Sequence, residues 1–247
     1  MRDLVIVGAG GFARETAAAV RAVNELRPTW RLRGFLDDDP ALHGTERAGL
    51  PILGAIDQLT EMSATATVVC VGNPRNYLAR QRIVERLALP AERYATILHP
   101  SADVGAGSVI GPGTVLLAGV VLTADVTVGE HVAVMPHVVL THDDRVSDYV
   151  TVASGVRLGG GVVLRPGAYV GAGALIREGV TVGDRSLVGM GSVVLRDVPA
   201  GEVWAGNPAR RLRATALPMP AAGATAACPP ETEQVLVSEP ASLNRRR

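Results

Sequence analysis

Apolar residues keep two different beats along this chain, and the change falls near residue 96. Before it, DLVIVGAGG is an apolar run ending in a glycine turn, the mark of a buried strand. FARETAAAVRAVNEL is rich in helix formers, and WRLRGFLDDDP alternates before ending on acids and a proline, as a strand and its loop would. TATVVCVG predicts another buried strand, and RNYLARQRIVERLAL an amphipathic helix. Strands and helices in that order predict an α/β domain over residues 1–95, a small Rossmann-like parallel sheet with covering helices.

From Leu98 the beat becomes six. Leu98, Val104, Ile110 and Leu116 open a ladder in which every sixth residue is aliphatic, without a gap, as far as Val194. The residue four places after a rung is small or β-branched almost throughout, as in Ser108, Thr114, Val120, Val126, Val132 and Val138; then comes Asp144. A period of six predicts an all-β parallel β-helix of hexapeptide repeats, in which each coil buries the aliphatic ladder of the next. A sandwich would instead turn irregularly at roughly 8–12 residues. The β-helix is assigned to residues 96–213. Residues 214–247, rich in Ala and Pro without periodicity, read as a mostly disordered tail in which QVLV could form a short strand.

Composition then narrows the chemistry. Aromatics are 3% against 47% hydrophobic residues, so the core must be aliphatic. Net charge is zero and there is no basic block, which offers nothing to nucleic acid or an anionic membrane. All 24 basic residues are arginine, so the lysine that a phosphate-loop NTPase or a pyridoxal enzyme needs is missing. Cys70 and Cys228 have no paired spacing, and there is no long apolar run. The expectation is a soluble, cytoplasmic protein.

Among five histidines, His43 lies in a polar loop and His99 at the junction of the two segments, where a structural role is expected. His131 and His137 occupy equivalent outward places in adjacent hexads and read as exposed polar corners. His142 differs. A coil is three hexads, so Ala124 and Gly160 stack on either side of it and leave space over the imidazole, while Asp143 adjoins it. A histidine beside a carboxylate on a cleared surface has the makings of a general base. Asp144 falls on the inward ladder, where a lone carboxylate is costly, so either it turns toward His142 or the coil bulges.

The segments IVGAGGFARE, GFLDDD, VVCVGN, ILHPSADVGAGSVIGPGTVL, LTHDD and WAGNPARR resemble the bacterial sugar acyltransferases that join a nucleotide-sugar-binding domain to a left-handed β-helix. These include sialic acid O-acetyltransferases and UDP-4-amino-sugar N-acetyltransferases. The likeness covers roughly residues 3–212 and implies a left-handed coil and acetyl-CoA as co-substrate, with no metal. It implies His142 as catalytic base with Asp143 as its acid. It implies CoA contacts at Thr151, where the family often has a histidine, and at the stacked pair Ala172 and Met190. For the nucleotide-sugar it implies Gly10, Gly11, Phe12, Asp37, Asp38, Gly72 and Asn73; Phe12 stands where a histidine is usual. Taken alone the glycine turn is shared with many nucleotide enzymes, its amides and helix N-terminus favouring phosphate.

Counted modulo 18, His142 shares a column with Ala124, Gly160 and Glu178, while Ala172 and Met190 share another with Pro136 and Ser154. One prism therefore separates its base from its CoA column, and three parallel prisms can reunite them, which predicts a homotrimer. N-acetylation of a nucleotide-linked amino sugar is the leading reading. The alternatives are O-acetylation of sialic acid or another sugar, a zinc hydratase using His137 and His142, and a non-catalytic nucleotide-sugar sensor.

Overall fold

In the computed structural model, which describes residues 1–215, the change of beat is a change of architecture. The first part is α/β. Its elements are β1 (Arg2–Val7), α1 (Gly11–Leu26), β2 (Trp30–Leu36), β3 (Glu46–Arg47), β4 (Leu50–Gly54), β5 (Ala66–Val69) and α2 (Ala79–Leu87). The sheet runs β3-β4-β2-β1-β5 and is parallel except for the β3–β4 hairpin, which the sequence reading omitted. β1 lies between β2 and β5 with Leu4 to Val7 fully buried, which is why its sequence is an unbroken apolar run. α2 begins at Ala79, later than expected. The amide N–H of Arg75 donates to Asn73 Oδ1 at 2.9 Å, and this local turn competes with the first helical turn.

The second part is the left-handed β-helix. Its first sheet stacks Asp103–Val104, Val121–Leu122, Val139–Leu140, Arg157–Leu158, Leu175–Ile176 and Val193–Val194. The second stacks Val109–Ile110, Thr127–Val128, Arg145–Val146, Val163–Leu164 and Thr181–Val182. The third runs from Ile97–Leu98 to Leu187–Val188 and ends in the antiparallel pair Glu202–Gly206 and Ala209–Ala214. Each strand pairs with its counterpart 18 residues on, as Val121 does with Val139, so the ladder residues stack into one aliphatic core. Trp204 closes the far end of that core. Of the tail expected over 214–247, only Ala214 and Thr215 are described, and QVLV lies outside the described residues.

Four-residue turns form the three edges of the prism. Their third residue takes a left-handed backbone, usually supplied by glycine, as at Gly107, Gly113 and Gly119. Five consecutive turns depart from this with Asp125, His131, His137, Asp143 and Tyr149, at φ between 53° and 65°. Each such residue carries a strain of about 1–2 kcal/mol. The strain is concentrated in the middle coils, where the polar side chains are.

The α/β part docks on the third sheet. Val115, Leu117 and Ala133 share one buried cluster with Leu4, Ala13, Ala17 and Val20. Arg80, 1% exposed, fastens the joint. Its guanidinium donates to the carbonyls of Val71, His131, Tyr149 and Val150 and to Thr151 Oγ1, at 2.6 to 3.1 Å. Burial pulls its pKa down to about 10.

Candidate active site

The first edge carries turn 141–144, between strands Val139–Leu140 and Arg145–Val146. His142 Nδ1 and Asp143 Oδ2 are 2.8 Å apart, and both side chains are 68% exposed. An Nδ1–H donated to the carboxylate leaves Nε2 as an outward acceptor. The hydrogen bond to Asp143 raises the imidazole pKa above its ordinary value, with the charges of Asp143 and Asp144 adding to it. The space expected over the ring is in part used by the ring itself, which lies against Gly160. Gly161 N–H donates to His142 O at 2.9 Å and anchors the turn to the next coil.

Asp144 does not turn to His142, and the strand ladder is interrupted beside it: Val139 pairs with Arg157 but Leu140 does not pair with Leu158, and Thr141 N–H turns to the carboxylate. It is fully buried on the ladder, and its two oxygens accept separate backbone N–H groups at 2.8 Å: Oδ2 from Thr141 and Oδ1 from Val162. Burial pushes its pKa up to about 7 against the pull of those two donors.

The second edge is not a solvent edge at His131. The imidazole expected to be exposed there is 2% exposed, edge-on to Tyr94 at 4.5 Å and stacked on Tyr149 at 5.4 Å. The docked α/β part covers it, and burial, with the charge of Arg80, pushes its pKa down to about 4. His99 is structural, its Nδ1 meeting Ser101 Oγ at 2.8 Å, and His43 Nε2 meets Asp37 O at 2.8 Å.

Ala172 and Met190 stand on the third edge, in turns 171–174 and 189–192; Met190 is 77% exposed. Thr151 is not with them. It lies on the third sheet at 3% exposure, with its hydroxyl taken by Arg80, because the α/β part covers that face.

The glycine loop, the acids after β2 and the loop after β5 do meet at one end of the α/β sheet. Gly10, Gly11, Asp38, Gly72 and Asn73 are exposed there. Asp37 Oδ2 accepts Ala9 N–H at 2.8 Å and holds the glycine loop; Asp38 accepts Ile56 N–H and pairs with Arg86. Phe12 departs from its expected place in the site: it is 6% exposed, packed in the core beneath Gly72. Arg80 was missed by sequence reasoning. The available signal was an arginine on the Arg80, Val84, Leu87 stripe, the buried face of α2.

Among the described residues, no three His, Cys, Asp or Glu side chains gather as a metal site. Nor is any described helix long and apolar enough to cross a membrane.

The chain joins an α/β domain to a left-handed hexapeptide prism that carries an imidazole–carboxylate pair on an exposed edge. Residues 3–87 match the PglD N-terminal domain family. The acetyltransferase domain of PglB from Neisseria gonorrhoeae, in complex with acetyl coenzyme A, is 28% identical, with 85% of this chain and 99% of that one covered at a TM-score of 0.74. PerB from Caulobacter crescentus, in complex with CoA and GDP-perosamine, is 29% identical over 85% and 97% of the two chains, also at 0.74. WeeI from Acinetobacter baumannii is 27% identical over 86% and 100%, at 0.71. No curated protein sequence matches the chain. The chain is thus similar to solved bacterial sugar acetyltransferases over most of its length, and that likeness makes it an acyltransferase.

Proposed function

We propose that the chain is an acetyl-CoA-dependent N-acetyltransferase acting on the amino group of a nucleotide-linked sugar. The observation that carries this reading is the 2.8 Å pairing of His142 with Asp143 on an open edge, which leaves Nε2 to take a proton. The amine attacks the thioester carbonyl as Nε2 accepts its proton; the C–S bond then breaks and CoA leaves as a thiolate of pKa roughly 8.5. The imidazolium returns its proton to the thiolate or to solvent. Positioning the two substrates supplies much of the rate.

Gly10, Gly11, Gly72 and Asn73 would contact the nucleotide-sugar, with Asp37 and Asp38 shaping the loops around it. Ala172 and Met190 would flank CoA, and Thr151 is instead part of the domain joint. The PglB and PerB complexes with acetyl coenzyme A, CoA and GDP-perosamine support the choice of substrates. Because base, CoA column and docked nucleotide domain occupy different edges and faces of one prism, the reading includes a homotrimer whose sites are shared between chains.

The test is thiol release from acetyl-CoA with a panel of nucleotide-linked amino sugars. One member should be consumed in step with thiol; release with no acceptor consumed would sink the transferase reading. For the shared site, His142→Ala and Ala172→Trp chains, each inactive alone, should regain activity when refolded together. Mixed trimers that stay inactive would remove it.

A further inference from the structure

The carboxylate of Asp144 has no place in the architecture as such. The same ladder position is Val126 one coil before and Val162 one coil after, both fully buried. Turns 123–126 and 159–162 therefore close around valine. Strain does not call for the acid either, since Asp125 has the same left-handed backbone as Asp143 and is followed by Val126.

Two hydroxyls at equivalent ladder positions each accept one backbone N–H a coil away. Ser108 Oγ accepts Val126 N–H at 3.2 Å, and Thr114 Oγ1 accepts Val132 N–H at 3.0 Å. Asp144 does the same for Val162 and then adds a second bond, to Thr141 N–H inside its own turn. Thr141 in turn donates its hydroxyl to Leu158 O at 3.1 Å. Both ends of turn 141–144 are thus tied, and the tied residues bracket His142 and Asp143. Burying a carboxylate opposes folding, whereas burying a valine favours it.

We propose that Asp144 is a positioning residue for acyl transfer, its two backbone hydrogen bonds fixing turn 141–144 so that His142 and Asp143 stay paired at the open edge, at the expense of fold stability. The inference rests on the reading of His142 as the base.

Asp144→Val restores the ladder of its neighbours and removes both bonds; Asp144→Thr keeps the Val162 bond, as Thr114 keeps its own, and drops the one to Thr141. Three readouts separate positioning from mere support: thermal melting, the tautomer of His142 by nitrogen-15 NMR, and turnover. Turnover is measured with whichever nucleotide-linked amino sugar gives the wild type its fastest thiol release. Asp144→Val should melt no lower than wild type, shift His142 toward the ordinary Nε2–H tautomer and lose about ten- to a hundredfold in turnover. Its KM for acetyl-CoA should hold within about twofold. Asp144→Thr should fall between. Wild-type turnover and an unchanged tautomer in Asp144→Val overturn the proposal, as does a loss that only follows the unfolded fraction of a less stable variant. His142→Ala is run beside them: if it keeps wild-type turnover, the base reading is what fails. If it is inactive while Asp144→Val is fully active, only the role of Asp144 fails.

Discussion

The imidazole of His142 rests against Gly160, one coil further along, so that a methyl group added there would stand 2.5 Å from Nε2. Gly160 has no left-handed backbone, unlike its neighbour Gly161, so alanine fits the chain and only the ring must move. Gly160→Ala should therefore fold normally and lose about ten- to a hundredfold in turnover, the usual result of misplacing a reacting group by an ångström. Steady-state kinetics beside a melting curve checks this; unchanged turnover would show that the ring position is immaterial.

Removing the base itself should cost more. His142→Ala is expected to lower turnover by about 10²–10⁴ with CoA binding near normal, and Asp143→Asn to lose less. The pH profile distinguishes their roles. The base works unprotonated and its pKa is raised, so turnover should climb through an inflection above the ordinary imidazole value of 6.5. In Asp143→Asn that inflection should move to lower pH, since the hydrogen bond that favours the charged ring is gone. An inflection that does not move would dissociate the two residues.

Arg80 offers a test of the domain joint. Arg80→Leu strands the carbonyls of Val71, His131, Tyr149 and Val150. Leaving buried polar groups unpaired costs about 1–3 kcal/mol each, some of which water entry will recover. The α/β part should then be cleaved by protease well before the β-helix, with KM rising for the acceptor and not for acetyl-CoA. Equal protease resistance in variant and wild type would mean that the apolar contacts alone hold the joint.

His131 predicts an acid response. Its folded pKa of about 4 lies below the unfolded value near 6.5, so the folded state holds fewer protons between them. Its contribution is complete above the unfolded value and lost as pH falls toward the folded one, by roughly 3 kcal/mol at most. Urea midpoints of wild type and His131→Phe, compared across that window, should converge or cross as the pH drops, because carboxylates titrate alike in both. A constant difference would falsify the assignment.

The ladder made the β-helix legible, since an unbroken six-residue beat fixes both the inward face and the 18-residue stacking of His142 on Gly160. Its near regularity also made Asp144 conspicuous, but the beat could not say which amides the carboxylate would meet. Burial of His131 and Thr151 was not legible for a different reason. Both lie on outward positions of the prism, and what covers them comes from the α/β part, far away in sequence: Tyr94 against the ring of His131, and on Thr151 an arginine of α2 that composition counts as a surface residue. Phe12 misled for the same cause: a motif gives the turn, while the side chain's direction is decided by packing under Gly72.

The coil also sets the terms on which this chain can change length. Each four-residue turn sits on its counterpart 18 residues away, and the two-residue strands between turns leave no slack. Between Asp144 and Ala172, an insertion of one coil would lift Met190 by about 4.8 Å and keep its azimuth. An insertion of one or two hexads would carry Met190 round to another edge, and a number that is not a multiple of six, threaded into the coil, would turn the aliphatic rungs outward. Indels threaded into the coil are therefore quantised: a coil at a time conserves the geometry, a hexad permutes the edges, and anything smaller must be extruded at a turn to spare the core.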